Sequence, residues 1–172
     1  MSVPSHVIEG KTIVGWIEGW IVKKSRKIKT AMLEKGGWEW WAQVELAPIL
    51  RTLPGDPTVQ REQPIYNTPK SAVDFLITKG QQHICIELKC ESLFKSSEQG
   101  RQTVEHTFYK EVNDDIYKLT TDRKAEFSNQ PCMVVALCFS DEASTPLKFR
   151  MDFHDVIDLG DGWRLHIFIK YL

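Results

Sequence analysis

Ala72-Val73-Asp74-Phe75-Leu76-Ile77-Thr78-Lys79-Gly80-Gln81-Gln82-His83-Ile84-Cys85-Ile86-Glu87-Leu88-Lys89-Cys90 is the stretch on which both fold and chemistry turn. Residues 72–77 and 83–90 read as two strands, and Thr78 to Gln82 as the turn between them. Each strand carries charge inside an apolar run, where burial is costly unless the charge is paired or binds metal. Side chains alternate along a strand, so Glu87 and Lys89 share a face. A hairpin brings Asp74 alongside them. Two carboxylates and an ammonium around one point describe a hard-cation site with a lysine beside it. The face bearing His83, Cys85, Glu87, Lys89 and Glu91 is predicted to line a cleft, while Ile84, Ile86, Leu88 and Cys90 face the core.

On the N-terminal side, Ile13, Trp16, Ile17, Trp20 and Ile21 recur at helical spacing and predict a helix over 12–33, weakened by Gly15 and Gly19. After Gly36-Gly37 a second helix is expected over 38–50, with Pro48 as a kink or early stop. Residues 51–64 read as a surface loop, with a short strand near Gln63 to Tyr66. On the C-terminal side, a polar loop over 95–100 precedes a helix over 103–123, with Phe108, Val112, Ile116 and Leu119 on one face. The run from Cys132 to Phe139 has the length and apolarity of a central strand covered on both sides. Phe149 to Ile157 and Arg164 to Tyr171 are read as late strands joined by a turn at Asp158 to Gly162. Helices interspersed with strands predict an α/β domain with a mixed sheet, and 172 residues suffice for one domain spanning 1–172.

Composition excludes several classes. Hydrophobic residues make up 42% of the chain and charged residues 26%, as in ordinary globular proteins. No apolar run is long enough for a membrane span, and the first residues lack the pattern of a secretory signal. Cys85, Cys90, Cys132 and Cys138 show no CxxC spacing, so buried thiols in a reducing, cytoplasmic-type compartment are expected in place of zinc, with the nucleus left open. There is no serine-hydrolase elbow and no phosphate-cradling glycine loop. Formal net charge is −1, not that of a basic nucleic-acid binder. Locally, however, Lys23, Lys24, Arg26 and Lys27 form a dense basic run. It either grips a phosphate backbone or is a solvated helix face.

The second helix offers a further carboxylate. Trp41, Glu45 and Ile49 share a stripe, so Glu45 is expected inward, as a metal ligand, a general acid/base or a salt-bridged boundary residue; Glu39 falls off the stripe and is expected exposed. On the later helix Asp114 and Lys118 stand one turn apart, either lining the cleft or forming a surface ion pair. Of the six tryptophans, Trp16, Trp20 and Trp41 are expected in the core. Trp40 is the best candidate for exposure, where an aromatic face can stack on an unpaired base.

A helix with Glu45, a strand, Asp74 on the next strand and Glu87-Leu88-Lys89 on the one after resemble the PD-(D/E)xK nuclease superfamily, over about 38–139. Val73 stands where the family's name has proline. The resemblance implies a restriction-endonuclease-like αβββαβ core, here with an extra N-terminal helix and a C-terminal hairpin. It implies an Mg²⁺-dependent (or Mn²⁺-dependent) nuclease cleaving phosphodiester bonds, in DNA rather than RNA. In that pattern Asp74 and Glu87 hold the metal with Glu45, and Lys89 positions the attacking water; the main-chain carbonyl of Leu88, which lies between Glu87 and Lys89, is placed to reach the metal as well. Lys23, Lys24, Arg26, Lys27 and Lys118 would contact substrate. With no separate sequence-reading element, such a chain would rely on a homodimer, a partner protein, or delivery as a toxin or defence effector. The competing expectations are a catalytically inactive module on the same fold that binds nucleic acid or a protein, and a hydrolase of another phosphoester.

Overall fold

A computed structural model of the chain describes residues 5–34, 37–92 and 104–172; the polar loop read over 95–100 lies outside them. Among the described residues the elements are α1 (Ser5–Met32), α2 (Glu39–Leu50), β1 (Thr58–Gln63), β2 (Val73–Lys79), β3 (Gln82–Cys90), α3 (Val104–Thr121), β4 (Cys132–Cys138), α4 (Asp141–Leu147), β5 (Phe153–Gly160) and β6 (Trp163–Tyr171). The strands form one mixed six-stranded sheet in the order β1-β2-β3-β4-β6-β5. Only β3 and β4 run parallel, and α3 makes the crossover between them.

Helices cover both faces. On one, α1 and α2 bury Ile13, Ile17, Trp20, Ile21, Ile28 and Leu46 against Phe75, Ile86, Leu88, Val135 and Ile167. On the other, α3 and α4 pack Phe108, Val112, Leu119 and Leu147 against Leu76, Cys85, Val134, Ala136 and Phe168. β4 lies between the two layers, and all seven of its residues are buried. That explains its unbroken apolar sequence: a strand covered on both sides has no solvent-facing position to alternate with.

Several expectations shift. α1 begins seven residues earlier than its periodicity suggested. Gly15 and Gly19 lie on its exposed side with open space where a side chain would be, so the helix tolerates them because its other face is packed. α2 runs past Pro48 to Leu50; the proline is exposed and sits in the last turn, where few helical bonds remain to be lost. The strand expected near Gln63 to Tyr66 lies earlier, at Thr58–Gln63, inside the segment read as loop, and Tyr66 makes only an isolated bridge to Arg123. Trp16 is exposed rather than core, Trp20 is buried and Trp41 is half-buried against it. The expected late strand over Phe149–Ile157 is displaced by α4, whose N-cap Ser140 accepts a bond from Ala143 N–H at 3.1 Å. The final hairpin closes on Asp161 and Gly162, both with φ near +60 to +80°, the left-handed pair that a two-residue hairpin turn requires.

Candidate functional site

β2 and β3 pair from Lys79↔Gln82 to Phe75↔Ile86 and then separate. Continuing that register would set Asp74 opposite Glu87, but the ladder stops one pair short. The β1–β2 ladder is interrupted at the same level, because Glu62 takes a left-handed backbone (φ 53°) and its pair with Asp74 is missing. Asp74 therefore sits in a fork of the sheet. Its Oδ2 accepts the Leu88 N–H at 2.7 Å, replacing the ladder bond, and its Oδ1 accepts Gln43 Nε2 at 2.6 Å.

Around this fork the chain gathers charge from four elements. Tyr66 donates its hydroxyl to Glu87 Oε1. Lys89 Nζ lies 3.2 Å from Glu39 Oε1 and 3.6 Å from Asp115 Oδ2. Glu39 Oε2 also accepts the Cys90 N–H at 2.9 Å. Lys118 Nζ is 2.6 Å from Asp115 Oδ1 and 3.7 Å from Glu87 Oε1. Four carboxylates (Glu39, Asp74, Glu87, Asp115) face two ammonium groups, an excess of two negative charges in a largely buried place.

That excess appears in the protonation equilibria. Burial, then the neighbouring Glu87, push the Asp74 carboxyl up to about 8. Glu87 is raised as well, by burial and by Asp115, against the Tyr66 hydroxyl and Lys118. With the Glu87 charge beside it, the buried Asp74 carboxyl takes up a proton far more readily than an exposed aspartate does. Burial raises Glu39 to about 7, with Lys89 opposing. Burial alone would discharge Lys89, yet Glu39, Asp115 and Asp74 together hold its ammonium above the usual lysine range. Lys89 is thus a fixed cation, not a base, at neutral pH.

Asp74, Glu87 and Lys89 are brought together as their spacing implied, and Lys118 joins them through Asp115, while Asp114 is exposed. Glu45 is not part of the cluster. It points to α1 and pairs with Lys24 at 2.7 Å, which holds its carboxyl below the usual range. The place expected for it belongs to Glu39, expected to be exposed. Lys23, Arg26 and Lys27 are exposed on α1, in the layer that also holds the Lys24–Glu45 pair, and Lys29 is tied to Asp161. The expected cleft face of β3 is open only in its middle. His83 pairs with Thr78 at the turn end, and Cys85 is core. Glu91 is sealed, its carboxylate accepting Phe139 N–H, Ser140 N–H and Ser140 Oγ. Residues missed in the sequence are Glu39, Gln43, Tyr66, Asp115 and Arg61, whose Nη2 donates to Gln43 Oε1 at 2.9 Å. The Glu39–Gln43 spacing of one turn, and Asp115–Lys118 at three, were the available signals.

The donor chemistry fits a hard divalent cation. Asp74 and Glu87 are adjacent oxygen donors whose charges oppose each other, the Leu88 carbonyl lies on the same edge of β3 as its N–H, and Asp115 Oδ2 is buried with no hydrogen bond. As arranged, no three Asp, Glu, His or Cys side chains among the described residues are grouped closely enough to enclose a metal ion. No helix among these residues is long and apolar enough to cross a membrane. No protein-family model, curated protein or solved structure matches the chain.

Proposed function

We propose that this protein is a divalent-cation-dependent nuclease acting on DNA, built on a restriction-endonuclease-like core. The observation that carries the reading is the convergence of Asp74, Glu87 and Lys89 at the fork where the β2–β3 ladder opens. The order α2-β1-β2-β3-α3-β4 supports it, being the αβββαβ order that the resemblance implies. Asp74 and Glu87, with the Leu88 carbonyl, would hold Mg²⁺ or Mn²⁺. When bound, such an ion polarises a phosphate oxygen and acidifies a coordinated water.

The chain's own residues do the rest. Gln43 and the Leu88 N–H fix the Asp74 carboxylate from two directions, so its orientation is set before any ligand arrives. Glu39 and Asp115 hold Lys89 charged at the fork, placing a permanent cation where negative charge develops on a phosphate. Tyr66 orients Glu87 through Oε1, the oxygen that also faces Lys118. Lys118 offers a second cation at the rim, being about a third exposed. Lys23, Arg26 and Lys27 on α1 supply sequence-independent attraction for the phosphate backbone outside the cluster.

The test is incubation of the purified chain with plasmid and with single-stranded DNA, in Mg²⁺, Mn²⁺ or EDTA, alongside Lys89→Ala. Metal-dependent cleavage that Lys89→Ala abolishes is the expected outcome; a folded protein that cuts neither DNA removes the proposal. One observation favours a second reading, an inactive binding module. Every carboxylate of the cluster already has a partner within the protein, so the network can also serve as a structural clamp between α2, β2, β3 and α3.

A further inference from the structure

Trp40 is 67% exposed, the largest exposure of any tryptophan among the described residues, and it follows Glu39 directly in α2. Exposed indole of this size is unusual because it leaves a large apolar face in water. It is also not loose. The guanidinium of Arg61, from β1, lies over the ring with its carbon 5.5 Å from the centroid. The same guanidinium donates Nη2 to Gln43 Oε1, and Gln43 holds Asp74. Trp40 and Gln43 are three apart on α2 and share a side of the helix. A chain of direct contacts thus runs from the Trp40 ring through Arg61 and Gln43 to the Asp74 carboxylate.

Arg61 carries a second feature. Its Nε is buried and makes no hydrogen bond, although its Nη2 is bonded and also lies 3.7 Å from Glu62. A buried guanidinium donor left open is uncommon, since each such group costs free energy unless something accepts from it. The site therefore offers a flat aromatic surface backed by a cation, with a polar anchor to the carboxylate fork. Arg61 lies over one face of the indole, and two-thirds of the residue still stands open to solvent.

We propose that Trp40, backed by Arg61, is a stacking platform for one unpaired nucleobase of the DNA strand cut at the fork. This rests on the nuclease reading for its substrate class and adds to it a preference for single-stranded over duplex DNA. In a duplex both faces of each base are covered by neighbouring bases, so only an unpaired or frayed base can present a face to Trp40. The indole can accept any base, because every base has a π-face; the platform selects strandedness and not sequence. The Arg61 cation on the far side of the ring contributes a cation–π contact to the same stack.

Binding separates this proposal from the cleavage reading. Fluorescence anisotropy is measured with a fluorescein-labelled single strand and with the same strand annealed to its complement, in Ca²⁺ to avoid turnover, using wild type, Trp40→Ala and Trp40→Phe. The expected result is tighter binding to the single strand. Trp40→Ala should lower the ratio of single-strand to duplex affinity about tenfold. Trp40→Phe, which keeps a stacking face, should recover most of it. An equal loss on both DNAs, no change, or a failure of phenylalanine to rescue overturns the platform. If the wild type cleaves nothing but shows the Trp40-dependent strand preference, the nuclease reading fails and the platform stands. If it cleaves with a strand preference indifferent to Trp40, the platform fails and the nuclease stands.

Discussion

Replacing Glu87 with glutamine tests whether the Asp74–Glu87 pair is a cation site held apart from its cation by a proton. In the folded protein Asp74 titrates at about 8, against an ordinary 3.8, and Glu39 at about 7, against 4.5. A carboxyl raised on folding leaves stability untouched below its unfolded value and erodes it as pH rises through the folded one. At about 1.4 kcal/mol per pH unit, Asp74 withdraws about 3 kcal/mol between pH 6 and 8, and Glu39 about 1 kcal/mol between pH 6 and 7. Metal-free wild type should therefore lose roughly 4 kcal/mol between pH 6 and pH 9. Glutamine at 87 keeps an oxygen for the Tyr66 hydroxyl and presents an N–H to Asp74 in place of a like charge. Burial, the larger cause of the Asp74 shift, persists, so the variant should recover only part, about 1–2 kcal/mol at pH 9. Urea denaturation in EDTA at pH 6 and pH 9 reads both effects. Saturating Mg²⁺ at pH 9 should stabilise wild type by roughly 3 kcal/mol at a hundredfold excess over Kd and leave Glu87→Gln unmoved. Wild-type stability that is flat across this pH range, or an equal Mg²⁺ response from both proteins, refutes the reasoning.

Other outcomes follow from the same geometry. Lys89→Ala strands Glu39 without its cation, leaves Asp115 with Lys118 alone, and should cost about 3 kcal/mol in thermal or urea unfolding at pH 8, with much of the loss recovered at pH 6 where Glu39 takes up a proton. Glu91→Ala removes the acceptor of three hydrogen bonds that tie the end of β3 to the start of α4; a loss of about 3 kcal/mol is expected in the same assay. Glu45→Gln and Lys24→Ala, by contrast, break only a pair about a quarter exposed between α1 and α2, and unfolding should move by less than about 1 kcal/mol with DNA cleavage unchanged. Changing Lys23, Arg26 and Lys27 together to glutamine should weaken DNA binding and flatten its dependence on salt, measured as the slope of log affinity against log salt.

The hairpin that carries the fork was legible because a period of two is unforgiving: once residues 82–90 are a strand, Glu87 and Lys89 share a face, and the hairpin register brings Asp74 level with them. The central strand was legible for the same reason, its seven apolar residues leaving no solvent side. The phase of α2 was not. Its sequence Glu-Trp-Trp-Ala-Gln-Val-Glu-Leu-Ala-Pro-Ile-Leu is apolar nearly all round, so no stripe says which way it faces. Glu39 and Glu45 lie about 120° apart on the helix, and the choice between them was made by α1, which covers the Glu45 side and supplies Lys24. β1 was hidden by its position at the sheet edge between Pro57 and Pro64, with its polar residues outward. α4 was hidden by its length and by Pro146, though Ser140 followed by Asp141 and Glu142 is a helix start in chemical terms.

The cluster's charge also bears on the choice between an enzyme and a clamp. A clamp needs hydrogen bonds across α2, β2, β3 and α3, and amides supply those without the cost of burying ions. Gln43 already does so, donating to Asp74 while accepting from Arg61. Were holding the layers together the cluster's whole task, glutamine at 87 would serve at least as well and would remove a like-charge contact at the centre of the fold. Glu87 instead faces Asp74 where the ladder has been opened, with a lysine held permanently charged next to it. The Asp74–Glu87 contact destabilises the metal-free protein, and a divalent cation bound between the two carboxylates would relieve it. That relief supports the proposed cation site over a cluster that serves the sheet alone.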